Sequence, residues 1–136
     1  MTGRGDGISR RGAVAGGLAV AMLGAAPGFA AGPEERMYGL MGRMVAQPGQ
    51  REALIAILLE GTGAMPGCLA YIVARDLKDA DAIWVTEVWD SKQSHAASLE
   101  LPAVRASIAR GKPLIAGFDN YTETEPVGGV GLPHPG

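Results

Sequence analysis

His95 is one of two histidines in the 136-residue chain and the only one away from its C-terminal end. An imidazole with an ordinary pKa of about 6.5 changes charge near neutrality and suits proton transfer. His95 and Leu99 stand four apart, so on a helix they share a face and His95 turns inward. It is then either a general base or substrate contact, or a core histidine whose ring nitrogens are satisfied by Glu87 or backbone. Glu87 interrupts the apolar run IWVTEVW (83–89), and a charge there must be paired, exposed or neutralised. It either orients His95 and stabilises the imidazolium, as a triad carboxylate does, or forms a structural ion pair with Arg43 or Arg75. Trp89, on the Glu87 face of the same strand, offers either a stacking surface for an aromatic molecule or packing in a core or subunit interface. The Tyr71 hydroxyl can donate to a substrate oxygen or to a backbone carbonyl.

Other reactive groups are few. Cys68 is the only cysteine, which rules out an internal disulfide and a cysteine-based zinc site. It reads as an inert buried thiol. Two histidines cannot build a multi-histidine metal centre, and no Gly-x-Gly-x-x-Gly loop is present, so neither a metal nor a bound cofactor is expected. Met37, Met41, Met44 and Met65 suit core filling or an adaptable pocket lining. Residues 1–30 hold Arg4, Arg10, Arg11 and Asp6, which leaves 9 Lys and Arg against 13 Asp and Glu in 31–136. That acidic balance offers no footprint for nucleic acid. A stretch of this length supports one domain.

The elements that must position these groups follow from periodicity. Residues 37–46 are apolar up to the Pro48-Gly49 turn and predict a buried strand. Ala53, Leu54, Ile57, Leu58 and Gly61 recur at spacings of three and four, predicting a helix from Gln50 that Gly61 and Gly63 stop. Met65-Pro66-Gly67 turns into a second strand, Cys68–Asp76, joined through 77–81 to a third, Ile83–Trp89. Alternation puts Ile83, Val85, Glu87 and Trp89 on one face, and Trp84, Thr86 and Val88 on the other. Asp90 or Ser91 can cap a short helix over 92–99, and Pro102 can open another that ends at Gly111. Residues 117–125 suit a last strand, whereas Pro126–Gly136 has seven Gly or Pro in eleven residues and predicts an irregular tail.

The order β-α-β-β-α(α)-β, with right-handed crossovers, predicts an α+β, ferredoxin-like split βαβ sandwich: a four-stranded antiparallel sheet with helices on one face. Its other face is too apolar for water, so a second copy laid sheet to sheet is expected, giving a homodimer.

The first thirty residues read as an export signal. Arg4, Arg10 and Arg11 precede an uncharged apolar run, Ala13–Ala26, and Pro27 and Gly28-Phe29-Ala30 suit cleavage after Ala30. Ser9-Arg10-Arg11 resembles the core of a twin-arginine signal, with Gly12-Ala13-Val14 where its usual extension would stand. The run is short for a permanent anchor, and no cysteine follows it for lipidation. The expectation is a domain over 31–125 with a tail over 126–136, exported to the periplasm or beyond and without a stable membrane anchor. The alternative is a Gly-rich leader that stays in the cytoplasm.

Pro48-Gly49, Pro66-Gly67-Cys68, Tyr71-x-Val73, Glu87-Val88-Trp89, His95 and Leu101-Pro102, in this order on this arrangement of elements, resemble the antibiotic biosynthesis monooxygenase domain over 37–125. The resemblance implies a dimeric α/β barrel. It also implies oxidation of a phenol, anthrone or hydroquinone by dioxygen without metal, flavin or haem. In such chemistry the protein supplies a base, oxyanion donors and a dry pocket, so the substrate itself passes an electron to oxygen. Here His95 would be the base, with Glu87, Trp89 and Tyr71 around a small aromatic substrate. Haem degradation in this family needs an Asn near the end of the first strand, and this chain's sole Asn is Asn120. A non-catalytic binding or stress-related domain and a cofactor-free isomerase are the competing readings on the same fold.

Overall fold

The computed structural model describes residues 36–133. The export signal expected over 1–30, its cleavage point after Ala30, and His134 lie outside the described residues. Four strands and three helices follow in the order β1 (Tyr38–Ala46), α1 (Arg51–Glu60), β2 (Cys68–Arg75), β3 (Ala82–Trp89), α2 (Lys92–Ser98), α3 (Pro102–Gly111) and β4 (Ile115–Thr124). A single 3-10 turn, Lys112–Leu114, carries the chain from α3 into β4. The sheet order is β2-β3-β1-β4, with every neighbouring pair antiparallel. This is the split βαβ sandwich, in which β1 and β3 occupy the centre.

Alternation along the central strands decides which face is covered. Tyr38, Leu40, Met44 and Ala46 of β1 are buried, as are Ile83, Val85 and Trp89 of β3. Met44, Ile83 and Val85 pack with Leu54 and Leu58 of α1 in one apolar cluster, while Tyr38, Leu40 and Trp89 form a second. Leu54 and Leu58 recur at helical spacing, so α1 turns this narrow stripe to the sheet while Glu52 and Glu60 stay in solvent. The opposite sheet face exposes Met41 (39%) and Ile72 (54%).

Local chemistry sets the ends of the elements. Ser91, not Asp90, caps α2: its Oγ accepts the Ser94 backbone N–H at 3.1 Å. Pro102 opens α3, where its missing N–H costs nothing. Gly67 has φ +86°, in the left-handed region, and a Cβ there would stand 2.5 Å from Ser94 Oγ. Glycine therefore lets the turn into β2 touch the start of α2.

Candidate active site

Between the helices and the covered sheet face lies a cavity of about 120 Å³. Leu40 and Met44 of β1, Leu54 and Leu58 of α1, and Val104 and Ile108 of α3 supply much of its apolar wall. Tyr71, Glu87, Trp89 and His95 all line it, so the four residues singled out by type and position share one chamber. Three of them are placed by strand register. Tyr71 sits directly opposite Glu87 across the β2–β3 ladder, and Trp89 follows two residues along on the same face. His95 reaches the chamber from α2.

His95 is 5% exposed and stands between two aromatic rings. The Trp89 ring meets it edge-on, with centroids 5.3 Å apart and planes at 73°; the Tyr38 ring lies 5.6 Å away at 46°. Burial lowers the His95 pKa to about 4; Glu123 opposes that shift and Lys92 adds to it. The imidazole is therefore neutral at neutral pH and has a free lone pair. Glu87 Oε1 is 3.7 Å from His95 Nε2, beyond hydrogen-bond range, and neither ring nitrogen has a hydrogen-bond partner among the described residues. The Ser98 hydroxyl instead donates to the His95 backbone carbonyl at 2.7 Å, fixing the turn rather than the ring.

Glu87 is held by Trp89, whose indole Nε1 donates to Oε1 at 2.8 Å. Burial pushes the Glu87 pKa upward, and the indole hydrogen bond only partly offsets this. The ion pair to Arg43 or Arg75 expected as an alternative does not form. Arg43 lies on the opposite face and binds Asp76, Asp79 and Asp119, at 3.2, 3.0 and 2.9 Å. Arg75 binds Glu52 at 2.7 Å. Both guanidinium groups are satisfied elsewhere. Among the described residues no lysine or arginine lines the cavity, and Glu87 is its only carboxylate.

Tyr71 is half-buried, and burial followed by the nearby Glu87 charge raises its pKa. Its hydroxyl has no hydrogen-bond partner among the described residues. Cys68 packs beside Trp89, with its thiol donating to the Ala70 carbonyl at 3.6 Å and its pKa raised by burial. Of the methionines, Met44 and Met65 line the cavity.

Two tyrosines escaped sequence reasoning. Tyr38 packs on His95, and its hydroxyl donates to Glu123, which also meets Lys92 at 3.5 Å. Tyr121 and Phe118 both line the cavity although they are three residues apart on a strand. Strict alternation would separate them, but Met41 pairs with Thr122 and Arg43 with Asp119, so β4 carries one extra residue. Asn120, at φ 53°, forms this bulge and returns Tyr121 to the Phe118 face. Only an Asn within an otherwise regular strand hinted at it.

Among the described residues no three His, Cys, Asp or Glu converge as a metal-ligand group, and no helix is long and apolar enough to cross a membrane.

Residues 37–110 match the antibiotic biosynthesis monooxygenase family. A crystal structure from Chloroflexus aurantiacus, named as a candidate antibiotic biosynthesis monooxygenase, is 67% identical, with a TM-score of 0.68 over 68% of this chain and 95% of that one. Similarly named structures from Caulobacter crescentus and Bacteroides thetaiotaomicron share the fold at much lower identity. The first has 20% identity and a TM-score of 0.63 over 69% of this chain and 92% of that one. The second has 13% identity and a TM-score of 0.62 over 70% and 93%. No curated protein matches the sequence significantly.

Proposed function

Since the chain belongs to the antibiotic biosynthesis monooxygenase family, we propose that it oxidises a hydroquinone or polycyclic phenol with dioxygen, with no metal, flavin or haem and with His95 as general base. The observation that carries this reading is the meeting of a neutral, hydrogen-bond-free imidazole with Glu87, Trp89 and Tyr71 in one largely apolar cavity.

The cavity's chemistry narrows the substrate. Without a lysine or arginine in its lining it is unsuited to a carboxylated or phosphorylated molecule, whose charge would be buried unpaired. Its volume of about 120 Å³ is of the order of the ~150 Å³ apolar cavity that accepts benzene, which favours a single-ring hydroquinone over a polycyclic phenol. Trp89 would offer its face to such a ring, and the Tyr71 hydroxyl would donate to its oxygen as negative charge develops.

Loss of the phenolic proton leaves an electron-rich phenolate that transfers one electron to dioxygen, and the resulting radicals combine at a ring carbon. Hydroquinone plus dioxygen then yields hydroxyquinone plus water. One oxygen atom enters the ring, the other leaves as water, and the ring supplies all four electrons, so no external reductant is consumed.

The exposed apolar side chains of Met41 and Ile72 on the outer sheet face support a homodimer that covers this face. The signal-like pattern of residues 1–30 supports export, which suits quinone handling outside the cytoplasm better than tailoring of an intracellular intermediate. The test is oxygen uptake by the metal-stripped protein on a panel of hydroquinones and anthrones, with heat-inactivated protein subtracted. Uptake that disappears in His95→Ala is expected. Ligand binding with no uptake would instead make the protein a binding module, and anaerobic conversion would make it an isomerase.

A further inference from the structure

Building on the phenol-oxidising reading, we propose that the substrate's proton comes to rest on Glu87 as a neutral carboxylic acid, and not on His95 as an imidazolium. The phenolic O–H bond breaks, a Glu87 O–H bond forms, and the electron pair stays on the substrate oxygen. When the departing oxygen atom leaves as water, the same proton returns to it and Glu87 is ionised again.

Three observations carry the assignment. The first is a count of charges. With the proton on His95, the chamber would hold a carboxylate, an imidazolium and a phenolate. With the proton on Glu87 it holds the phenolate alone, one charge before transfer and one after. In a chamber with no lysine or arginine and with His95 only 5% exposed, creating two further charges is the costlier course. The second is geometry. Trp89 donates to Oε1 at 2.8 Å, while Oε2 has no hydrogen-bond partner among the described residues and belongs to a residue lining the cavity. That leaves a free acceptor on which a proton can rest, and His95 Nε2, 3.7 Å from Oε1, stands close enough to take the proton from the substrate as base and hand it to the carboxylate with a small movement. The third is the surroundings. Besides the Trp89 indole and the neutral His95 ring, Cys68 and Tyr71 from β2, Tyr38 from β1 and Tyr121 from β4 are near Glu87, all of them neutral until alkaline pH, and among the described residues no lysine or arginine is paired with it. Burial also drives the two partners in the required directions, Glu87 toward its acid form and His95 away from its cationic form.

The assignment is tested without turnover by 4-nitrophenol, a one-ring phenol whose anion absorbs in the visible. Bound to the wild-type protein, it should develop the anion band together with a new carboxylic-acid carbonyl band in the infrared difference spectrum. Nitrogen NMR of labelled histidine should show His95 remaining neutral. Glu87→Gln should lose the carbonyl band and most of the anion band, while His95→Gln, which removes the base but not the resting place of the proton, should reach both bands more slowly than wild type after mixing. An imidazolium signal in place of the carbonyl band would overturn the assignment, as would bound 4-nitrophenol that stays neutral or an anion band that survives in Glu87→Gln. Failure of 4-nitrophenol to bind would sink the reading of the cavity as a phenol site, a separate failure.

Discussion

His95 should make the fold acid-sensitive by a calculable amount. Its pKa falls from 6.5 in the unfolded chain to about 4 in the folded one. The unfolded state therefore takes up a proton first as pH falls, so acidification favours unfolding. Above pH 6.5 His95 has no such effect; between 6.5 and about 4 the native state loses stability, and below about 4 the loss levels off. At roughly 1.4 kcal/mol per pKa unit, the fall from 6.5 to about 4 predicts a loss of about 3 kcal/mol across the window. The side chain is almost fully buried, so solvent screening removes little of this. Urea unfolding at intervals from pH 7 to 4, for wild type and His95→Gln, isolates the effect, because the carboxylates titrate in both proteins and cancel. The wild type should lose stability relative to the variant on acidification, with a slope approaching 1.4 kcal/mol per pH unit. Parallel stability curves, or an NMR titration of His95 centred near 6.5, would refute the reasoning. The functional corollary is that the imidazole is already deprotonated throughout the neutral range.

Further expectations follow from packing and charge. Leu54 is fully buried and lines the cavity, so Leu54→Ala should cost about 3–5 kcal/mol in urea unfolding while widening the chamber enough to raise affinity for two-ring phenols. Arg43→Leu leaves Asp76, Asp79 and Asp119 facing one another. It should lower the urea midpoint at low ionic strength and less so in high salt, as screening relieves the repulsion. Ile72→Lys places a charge on the exposed outer face of the sheet. Sedimentation should then show monomers where the wild type gives dimers, with an unchanged circular dichroism spectrum.

Most of the fold is legible in periodicity because each element buries one face. Leu54 and Leu58 reveal α1 at helical spacing, and IWVTEVW reveals β3 by alternation, which also places Glu87 and Trp89 on one side. The β4 strand is less legible: it begins at Ile115 rather than Gly117, because the 3-10 turn over 112–114 delivers the chain to the sheet early. Alternation cannot foresee an inserted residue, so the bulge at Asn120 hides the contribution of Tyr121 to the cavity. Arg43 illustrates the same limit. From sequence it is a plausible partner for Glu87, but strand register turns it to the opposite face, where three aspartates bind it. Glu87 is therefore left with an indole and a neutral imidazole, a polarity that no spacing rule reveals.

The central claim, metal-free insertion of one oxygen atom into a small phenol, is tested most directly by turnover of hydroquinone under labelled dioxygen with mass analysis of the product. The account predicts one labelled atom in the ring and one in water, with no hydrogen peroxide and no effect of chelators. Hydrogen peroxide with an unlabelled quinone, or oxygen consumption no greater than with heat-inactivated protein, would contradict it.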